Sequence, residues 1–237
     1  MILLENKTIA EIVTDNINTA VVFKKYKIDF GFKGNIILKK ACEKNNINVN
    51  NVIAELLSVD KKKFYLKDYN SWDIDLLLQF LKEIQHDKKQ DEISILTDLS
   101  LNLDKKYSKN HPYIKRLNEC IQLIKIKLVK KIYIEENNIY PYVKNLLKFK
   151  KNSEHIKNVS LEKNIKKLEK YRLFISDKFN EIVVLTDNFK TSKNVDASFK
   201  LLFERLEHFL FDLQEHNHIE KNILFPKALE LEASLID

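Results

Sequence analysis

The sequence predicts an all-α protein whose main part is an antiparallel four-helix bundle, preceded by a small helical domain. Its 237 residues include only 2 Gly and 3 Pro, so the residues that make hairpin turns are scarce. Charged residues make up 32% of the chain and alternate with Leu and Ile, as in solvated amphipathic helices. Because apolar residues recur at helical spacing along the chain, we expect helices to build its core.

Residues 1–58 are predicted to form the small helical domain. Thr8 and Glu11 are spaced as a capping box, which opens a short helix. Three further helices are expected at 18–26, 35–44 and 48–57. Because so short a segment buries little apolar surface, we expect this domain to dock on another surface or to form a homodimer.

A lysine-rich linker is predicted at 59–70, followed by the bundle at 71–237. The first helix of the bundle begins near Ser71, and an amphipathic stretch at 93–107 either continues it or follows a break. The next helix begins at His111-Pro112, because proline suits a first helical turn. The last two long helices are expected at 161–185 and 195–224, after a polar loop at 148–160. Pro141 and Pro226 are expected to stop the helices that precede them.

One segment of the bundle occurs twice. Lys131–Pro141 and His216–Pro226 align without gaps and share Ile, Glu, Asn and Pro, with an aromatic residue before each Pro. In the second copy His216 and Glu220 are four residues apart, so both can face one metal ion from a single helix. One such pair is usually a surface pair. Two related copies favour a pseudo-symmetric metal-binding bundle.

Charge and cysteine content exclude several other classes of protein. The net charge is +7 and the pI about 9.1, but lysines are interleaved with acids, which indicates a solvated surface. Nucleic-acid binding is therefore not expected; it would require steeply salt-dependent affinity. Cys42 and Cys120 are isolated, which fits a reducing, cytoplasmic location. We expect neither a signal peptide nor a membrane span. Gly-rich loops and nucleophile motifs are lacking, so a classical enzyme is not expected.

Several short motifs follow one another in the order of a known family. In the small domain these are Thr8-Ile-Ala-Glu-Ile-Val, Ala20-Val-Val-Phe23, Ile28-Asp-Phe30, Gly34 and Ala41-Cys42. In the bundle they are His86-Asp87, Glu135-Glu136 with Tyr140-Pro141, and His216 to Pro226. On these residues the chain resembles the RIC (repair of iron centres) family. Its members are di-iron, hemerythrin-like proteins linked to mending iron–sulfur clusters after nitrosative or oxidative stress.

The resemblance implies a hemerythrin-like bundle, iron as cofactor and iron–sulfur proteins as clients. It implies that four residues of this chain keep the family's metal-ligand type: His86, Glu135, His216 and Glu220. Three family histidines are replaced, by Lys131, Arg172 and Tyr107. Gly31 and Phe32 stand where the family has paired cysteines, so a thiol-based step of the family cannot occur there.

These substitutions leave two interpretations open. In the first, Lys131 and Arg172 neutralise Glu135 and Glu220, so that an ion-pair network replaces the di-iron centre. Such a chain would be a metal-free interaction or regulatory partner. In the second, the two remaining histidines and two glutamates hold one metal ion. His218 or His208 could then act as a substitute ligand, whereas His111 and His155 receive no role. The sequence thus predicts one metal ion or none, rather than two.

Overall fold

The computed structural model describes residues 3–59, 68–152, 161–191 and 196–236, and the fold of these residues is all-α, as predicted. They form no strand, and Thr8 and Ile37 make an isolated β-bridge. The α-helices are α1 (Ile9–Asp15), α2 (Ala20–Lys25), α3 (Leu38–Lys44), α4 (Val49–Ser58), α5 (Ile74–Phe80), α6 (Asp87–Tyr107), α7 (Tyr113–Ile134), α8 (Tyr140–Asn152), α9 (Leu161–Leu185), α10 (Ala197–Ile219) and α11 (Phe225–Ile236). Among the same residues, three π-helical segments join consecutive helices, at Leu81–His86, Glu135–Ile139 and Glu220–Leu224.

The chain divides into two compact units. The first unit comprises Met1–Leu77 and Leu213–Ala228, and the second comprises Leu78–Asp212 and Leu229–Asp237. The domain limits expected from the sequence, at residues 58 and 71, stay a prediction. Most of the expected linker, residues 60–67, lies outside the described residues.

In the first unit, the N-terminal helices pack against a C-terminal stretch of the chain. The capping box predicted at the start of α1 is present: Thr8 Oγ1 accepts a hydrogen bond from the Glu11 amide at 3.2 Å, and Glu11 Oε2 accepts one from the Thr8 amide at 2.7 Å. α1 contacts the π-helical segment Glu220–Leu224. The expectation that this small domain docks is met inside its own unit, while homodimer formation stays a prediction.

In the second unit, ion pairs show that neighbouring helices run antiparallel. Lys88, early in α6, pairs with Asp212 near the end of α10 at 2.6 Å, whereas Lys106 at the end of α6 pairs with Asp196 just before α10 at 3.0 Å. α7 packs on both α6 and α9. The apolar side chains that face the interior are those expected from helical periodicity, among them Leu96, Leu117, Ile121, Leu168, Ile175, Phe179 and Phe209. A four-helix core of α6, α7, α9 and α10 results.

The structure corrects the expected helix ends. Pro141 and Pro226 do not stop their helices, because each lies at the second residue of a helix, α8 or α11, that continues the chain's direction after a π-helical segment. The helix after Ser71 likewise runs without a break from α5 through Leu81–His86 into α6. Helix α8 extends to Asn152, into the stretch expected to be a polar loop, whose remaining residues 153–160 lie outside the described residues. In the part of the chain that the structure describes, no helix is both long and apolar enough to cross a membrane.

The capping box gives a first prediction. Replacing Thr8 by Ala should lower the free energy of unfolding by about 1 kcal/mol, because the Glu11 amide loses its hydrogen-bond acceptor. Urea unfolding followed by the fluorescence of Trp72, the chain's single tryptophan and a residue of the same unit, measures this change. Thr8→Ser keeps the hydroxyl and should leave the midpoint nearly unchanged. Equal destabilisation by both variants would contradict the capping interaction.

Candidate metal centre

Each of the three π-helical segments begins or ends at a residue predicted to bind metal. His86 is the last residue of Leu81–His86, Glu135 is the first of Glu135–Ile139, and Glu220 is the first of Glu220–Leu224. A π-helical turn is less stable than the α-helix around it and is found mainly at functional sites. The irregular turns of these helices therefore coincide with the chemistry predicted from the sequence.

The two prolines of the repeat explain two of these turns. The Tyr140 amide bonds to the Glu135 carbonyl and the Phe225 amide to the Glu220 carbonyl, each reaching five residues back. In a regular α-helix the ring of the next residue, proline, would collide with the carbonyl four residues before it. A wider turn relieves this collision. The spacing of Glu and Pro in the repeat thus encodes a π-helical turn that begins at the glutamate.

The repeated asparagine completes each turn. Asn137 Nδ2 donates to the Tyr133 carbonyl oxygen at 2.9 Å, and Asn222 Nδ2 lies 3.0 Å from His218 Nδ1. In both copies the amide side chain thus bonds to the residue four positions earlier.

The four predicted ligands form two buried pairs. His86 and Glu135 are buried in the second unit, and His216 and Glu220 are buried in the first. Two imidazoles and two carboxylates are a suitable donor set for one iron or zinc ion. Both Glu135 carboxylate oxygens are buried and make no hydrogen bond of normal geometry among the described residues. The donor set therefore fits a single ion.

His86 is held from several sides. Its Nδ1 lies 2.7 Å from Glu136 Oε1, and its Nε2 lies 3.3 Å from Glu135 Oε2. The Tyr140 ring stacks on the imidazole with centroids 5.5 Å apart and an interplanar angle of 9°. The Tyr140 hydroxyl is 3.4 Å from Nε2. The two carboxylates therefore contact opposite nitrogens of one ring.

Lys131, the first of the substituted ligand positions, is fully buried and faces Glu135. Its Nζ lies 2.5 Å from Glu135 Oε1, at the i, i+4 spacing of helix α7 and the turn that follows it. An ammonium group removed from water is stabilised only by a close anion, so this pair is held tightly together. The cation expected from the sequence thus compensates the carboxylate expected to bind metal.

Arg172, the second substituted position, is buried on α9 with 2% of its surface exposed. Helix α9 packs on the Glu135–Ile139 segment, and Arg172 Nη1 lies 3.3 Å from Glu169 Oε2. Because a guanidinium keeps its proton and has no lone pair to offer, Arg172 brings positive charge to this part of the second unit without being able to bind metal.

Tyr107, the third substituted position, lies elsewhere. It ends α6, and the rise of the helix separates it from His86 by about 30 Å. Its hydroxyl donates to Asp196, and its ring packs on Phe199 with centroids 5.1 Å apart. Tyr107 therefore packs against the start of α10, far along α6 from His86. Its position does not support the expectation that it replaces a metal ligand.

The other histidines also have structural roles. His218 is buried between Thr14, 3.4 Å from its Nε2, and Asn222, and burial lowers its pKa to about 4. It is therefore neutral at pH 7. His208 is exposed and bonds through Nδ1 to the Glu204 carbonyl at 2.8 Å, and His111 packs among the aromatic rings near Tyr107. His155 lies outside the described residues.

His216 and Glu220 form the second pair of predicted ligands. His216 Nε2 lies 3.2 Å from Glu220 Oε2, and both side chains are almost completely buried. The first pair of the repeat, Lys131 and Glu135, has the same spacing and burial. The two copies therefore form the same kind of local pair, with an ammonium in one copy and an imidazole in the other.

The two positions that lack thiols form a tight apolar turn in the first unit. Asp29 Oδ1 accepts hydrogen bonds from the Gly31 amide at 3.1 Å and the Phe32 amide at 2.9 Å. Burial raises the pKa of Asp29, although these amides oppose the shift. A Cβ atom at Gly31 would overlap the backbone carbonyl of Gln214, so position 31 has no room for any side chain. Phe32 is buried.

The sequence did not reveal two buried polar groups. Lys89 is 1% exposed and its Nζ donates to Gln85 Oε1, one turn earlier on the helix. Glu215, next to His216, accepts a hydrogen bond from the Tyr69 hydroxyl at 2.8 Å. The spacing of Gln85, His86 and Lys89 on one helical face was a signal that could have identified the first group.

Comparison with known proteins supports the resemblance. Residues 5–60 match the family model ScdA_N, a domain of unknown function (DUF542). The chain is 23% identical over 224 residues to "Iron-sulfur cluster repair protein ScdA" of Staphylococcus epidermidis, covering 93% of this chain and 96% of that protein. It is 22% identical over 219 residues to ScdA of Staphylococcus haemolyticus, covering 92% and 96%. It is 20% identical over 208 residues to "Iron-sulfur cluster repair protein YtfE" of Yersinia pestis, covering 88% and 90%.

The packing of Gly31 predicts that even a methyl group is not tolerated there. Gly31→Ala should lower the free energy of unfolding by about 1–3 kcal/mol, because the Gln214 backbone must move. Thermal unfolding followed by circular dichroism measures the loss. Lys33→Ala, two residues away and only partly buried, is the matched control. A Gly31→Ala variant as stable as the control would refute the close approach.

The two cysteines should be unreactive in the folded protein. Cys42 and Cys120 are buried, and burial raises the pKa of both thiols, that of Cys120 to about 11. Since the thiolate is the reactive form, a disulfide reagent at pH 8 should modify neither thiol before unfolding. In concentrated guanidinium both should react, which provides the internal control. Rapid modification of a native thiol would contradict the structure.

Proposed function

Because the chain is similar over most of its length to iron–sulfur cluster repair proteins, we propose that it acts in the repair of such clusters in the cytoplasm. We propose further that it uses one iron ion held by His86, Glu135, His216 and Glu220. The observation that carries this proposal is a buried pair of potential ligands in each unit: His86 Nε2 lies 3.3 Å from Glu135 Oε2, and His216 Nε2 lies 3.2 Å from Glu220 Oε2. The clients would be proteins whose iron–sulfur clusters have been damaged by nitrosative or oxidative stress.

The bound ion would supply iron chemistry, either as an exchangeable ferrous ion or as a one-electron donor, and the chain's own residues would control its surroundings. The burial of all four ligands keeps bulk water away from them. Low polarity strengthens the attraction between the two carboxylates and a cation. The contact between Lys131 and Glu135 holds that carboxylate in place before metal arrives.

The number of metal ions per chain follows from the ligand residues that the chain retains. Four protein ligands suffice for one ion, whereas two ions would share them at two ligands each. Lys131 Nζ already lies 2.5 Å from one oxygen of Glu135, and a second cation at that oxygen would be repelled by the ammonium. Arg172 adds positive charge on the neighbouring helix α9. We therefore expect one metal ion per chain.

The first test is the metal content and repair activity of the protein. After anaerobic purification with ferrous iron supplied, we expect about one iron per chain, and reactivation of a hydratase whose [4Fe–4S] cluster was damaged with nitric oxide. His216→Ala should lose both properties, whereas His208→Ala, which changes an exposed histidine, should keep both. A wild-type chain without iron would instead establish a metal-free ion-pair core and overturn the proposal.

The substituted positions provide a gain-of-function prediction. Lys131→His combined with Arg172→His should raise the iron content from about one towards two per chain, because two cations become two neutral ligands. Lys130→His together with Arg172→His is the matched control, since Lys130 is the exposed neighbour of Lys131. Iron content is measured by mass spectrometry against protein concentration. An unchanged ratio of one would show that Lys131 and Arg172 do not set the stoichiometry.

A further inference from the structure

We propose that Glu136 is a positioning residue: it holds the imidazole of His86 so that Nε2 faces Glu135 and the metal ion. This inference rests on the proposed function, because it assigns a task to Glu136 in metal binding. Glu136 is not a ligand of the four-residue group. Its role follows from three features of the second unit: a hydrogen bond, a stacked ring and the shape of the π-helical turn.

The hydrogen bond determines which nitrogen carries the proton. Glu136 Oε1 lies 2.7 Å from His86 Nδ1. An ionised carboxylate can only accept, so Nδ1 must donate its hydrogen to Glu136. In the neutral ring, Nε2 then has the free lone pair. That nitrogen faces Glu135 Oε2 at 3.3 Å, so both atoms would be available to hold a metal ion.

The stacked ring fixes the plane of the imidazole. Tyr140 is nearly parallel to His86, at 9°, and is itself buried. A parallel aromatic neighbour resists rotation of the imidazole out of that plane, and the hydrogen bond to Glu136 resists rotation within it. Together the two contacts leave the ring one orientation.

The π-helical turn brings these groups together. In a regular α-helix, adjacent residues point about 100° apart, so Glu135 and Glu136 would diverge more widely around the helix. A turn that closes over five residues rather than four reduces this angle. It also returns the chain to the same face at Tyr140, whose amide bonds to the Glu135 carbonyl. Three residues of one turn therefore converge on His86.

The second copy of the repeat does not provide this contact. Lys221 occupies the position equivalent to Glu136, and a lysine cannot accept a hydrogen bond from an imidazole. The side chain of Glu136 is also 26% exposed, less buried than any of the four ligands. A partly hydrated carboxylate that bonds a ligand's outer nitrogen is the usual second partner of a metal-binding histidine.

The test measures metal affinity and the histidine tautomer separately. Glu136→Ala should weaken binding of ferrous iron, measured in competition with a chelator, by about 10- to 100-fold. Glu136→Gln keeps a neutral acceptor and should lose less. Glu83→Ala is the matched control, because Glu83 is an exposed glutamate on the π-helical segment that carries His86. Circular dichroism confirms that each variant folds.

Nitrogen NMR of protein labelled at histidine gives the second readout, without iron. Wild type should show His86 protonated at Nδ1, and Glu136→Ala should show a tautomer mixture. If Glu136→Ala binds iron as tightly as Glu83→Ala and keeps the Nδ1 tautomer, Glu136 does not position His86. If wild type binds no iron, the proposed function fails, yet the tautomer measurement still decides whether Glu136 orients the ring.

Discussion

The proline ring, which in a regular α-helix collides with the carbonyl four residues earlier, is the constraint on which the centre of this protein depends. Pro141 and Pro226 stand in the middle of long helices that a regular hydrogen-bond pattern could not carry through. Each helix continues because a wider turn precedes its proline. That turn begins at a buried glutamate, so the same irregularity that preserves the helix also aims the carboxylate inward.

Charge compensation is the second requirement. Glu135 and Glu220 are buried, and a buried carboxylate without a partner would cost several kcal/mol. For Glu135 the chain itself provides a cation, Lys131, on the preceding turn. The chain itself therefore compensates the charge of Glu135, whether or not a metal ion is bound. In a bundle whose only counter-charge is the metal ion, this carboxylate would have no such partner.

Sequence reasoning predicted the fold class, the capping box at Thr8 and the burial of Lys131 beside Glu135, because each depends on spacing along a single helix. It failed at Pro141 and Pro226, where the rule that proline ends a helix takes no account of π-helical turns. It also placed Tyr107 near the metal, because alignment to a family motif gives no information about distances in the folded chain. The contact of Lys89 with Gln85 could have been found from their spacing on one helix, whereas the contact of Glu136 with His86 joins two distant segments and depends on how side chains meet after folding.

The turn at Gly31 restricts which residues the chain can carry at this position. The Gln214 backbone occupies the space that any side chain at position 31 would need. A cysteine introduced there would push against helix α10 instead of presenting a thiol at the surface. That helix would have to shift first, so a reactive thiol would be easier to introduce at another position of this chain.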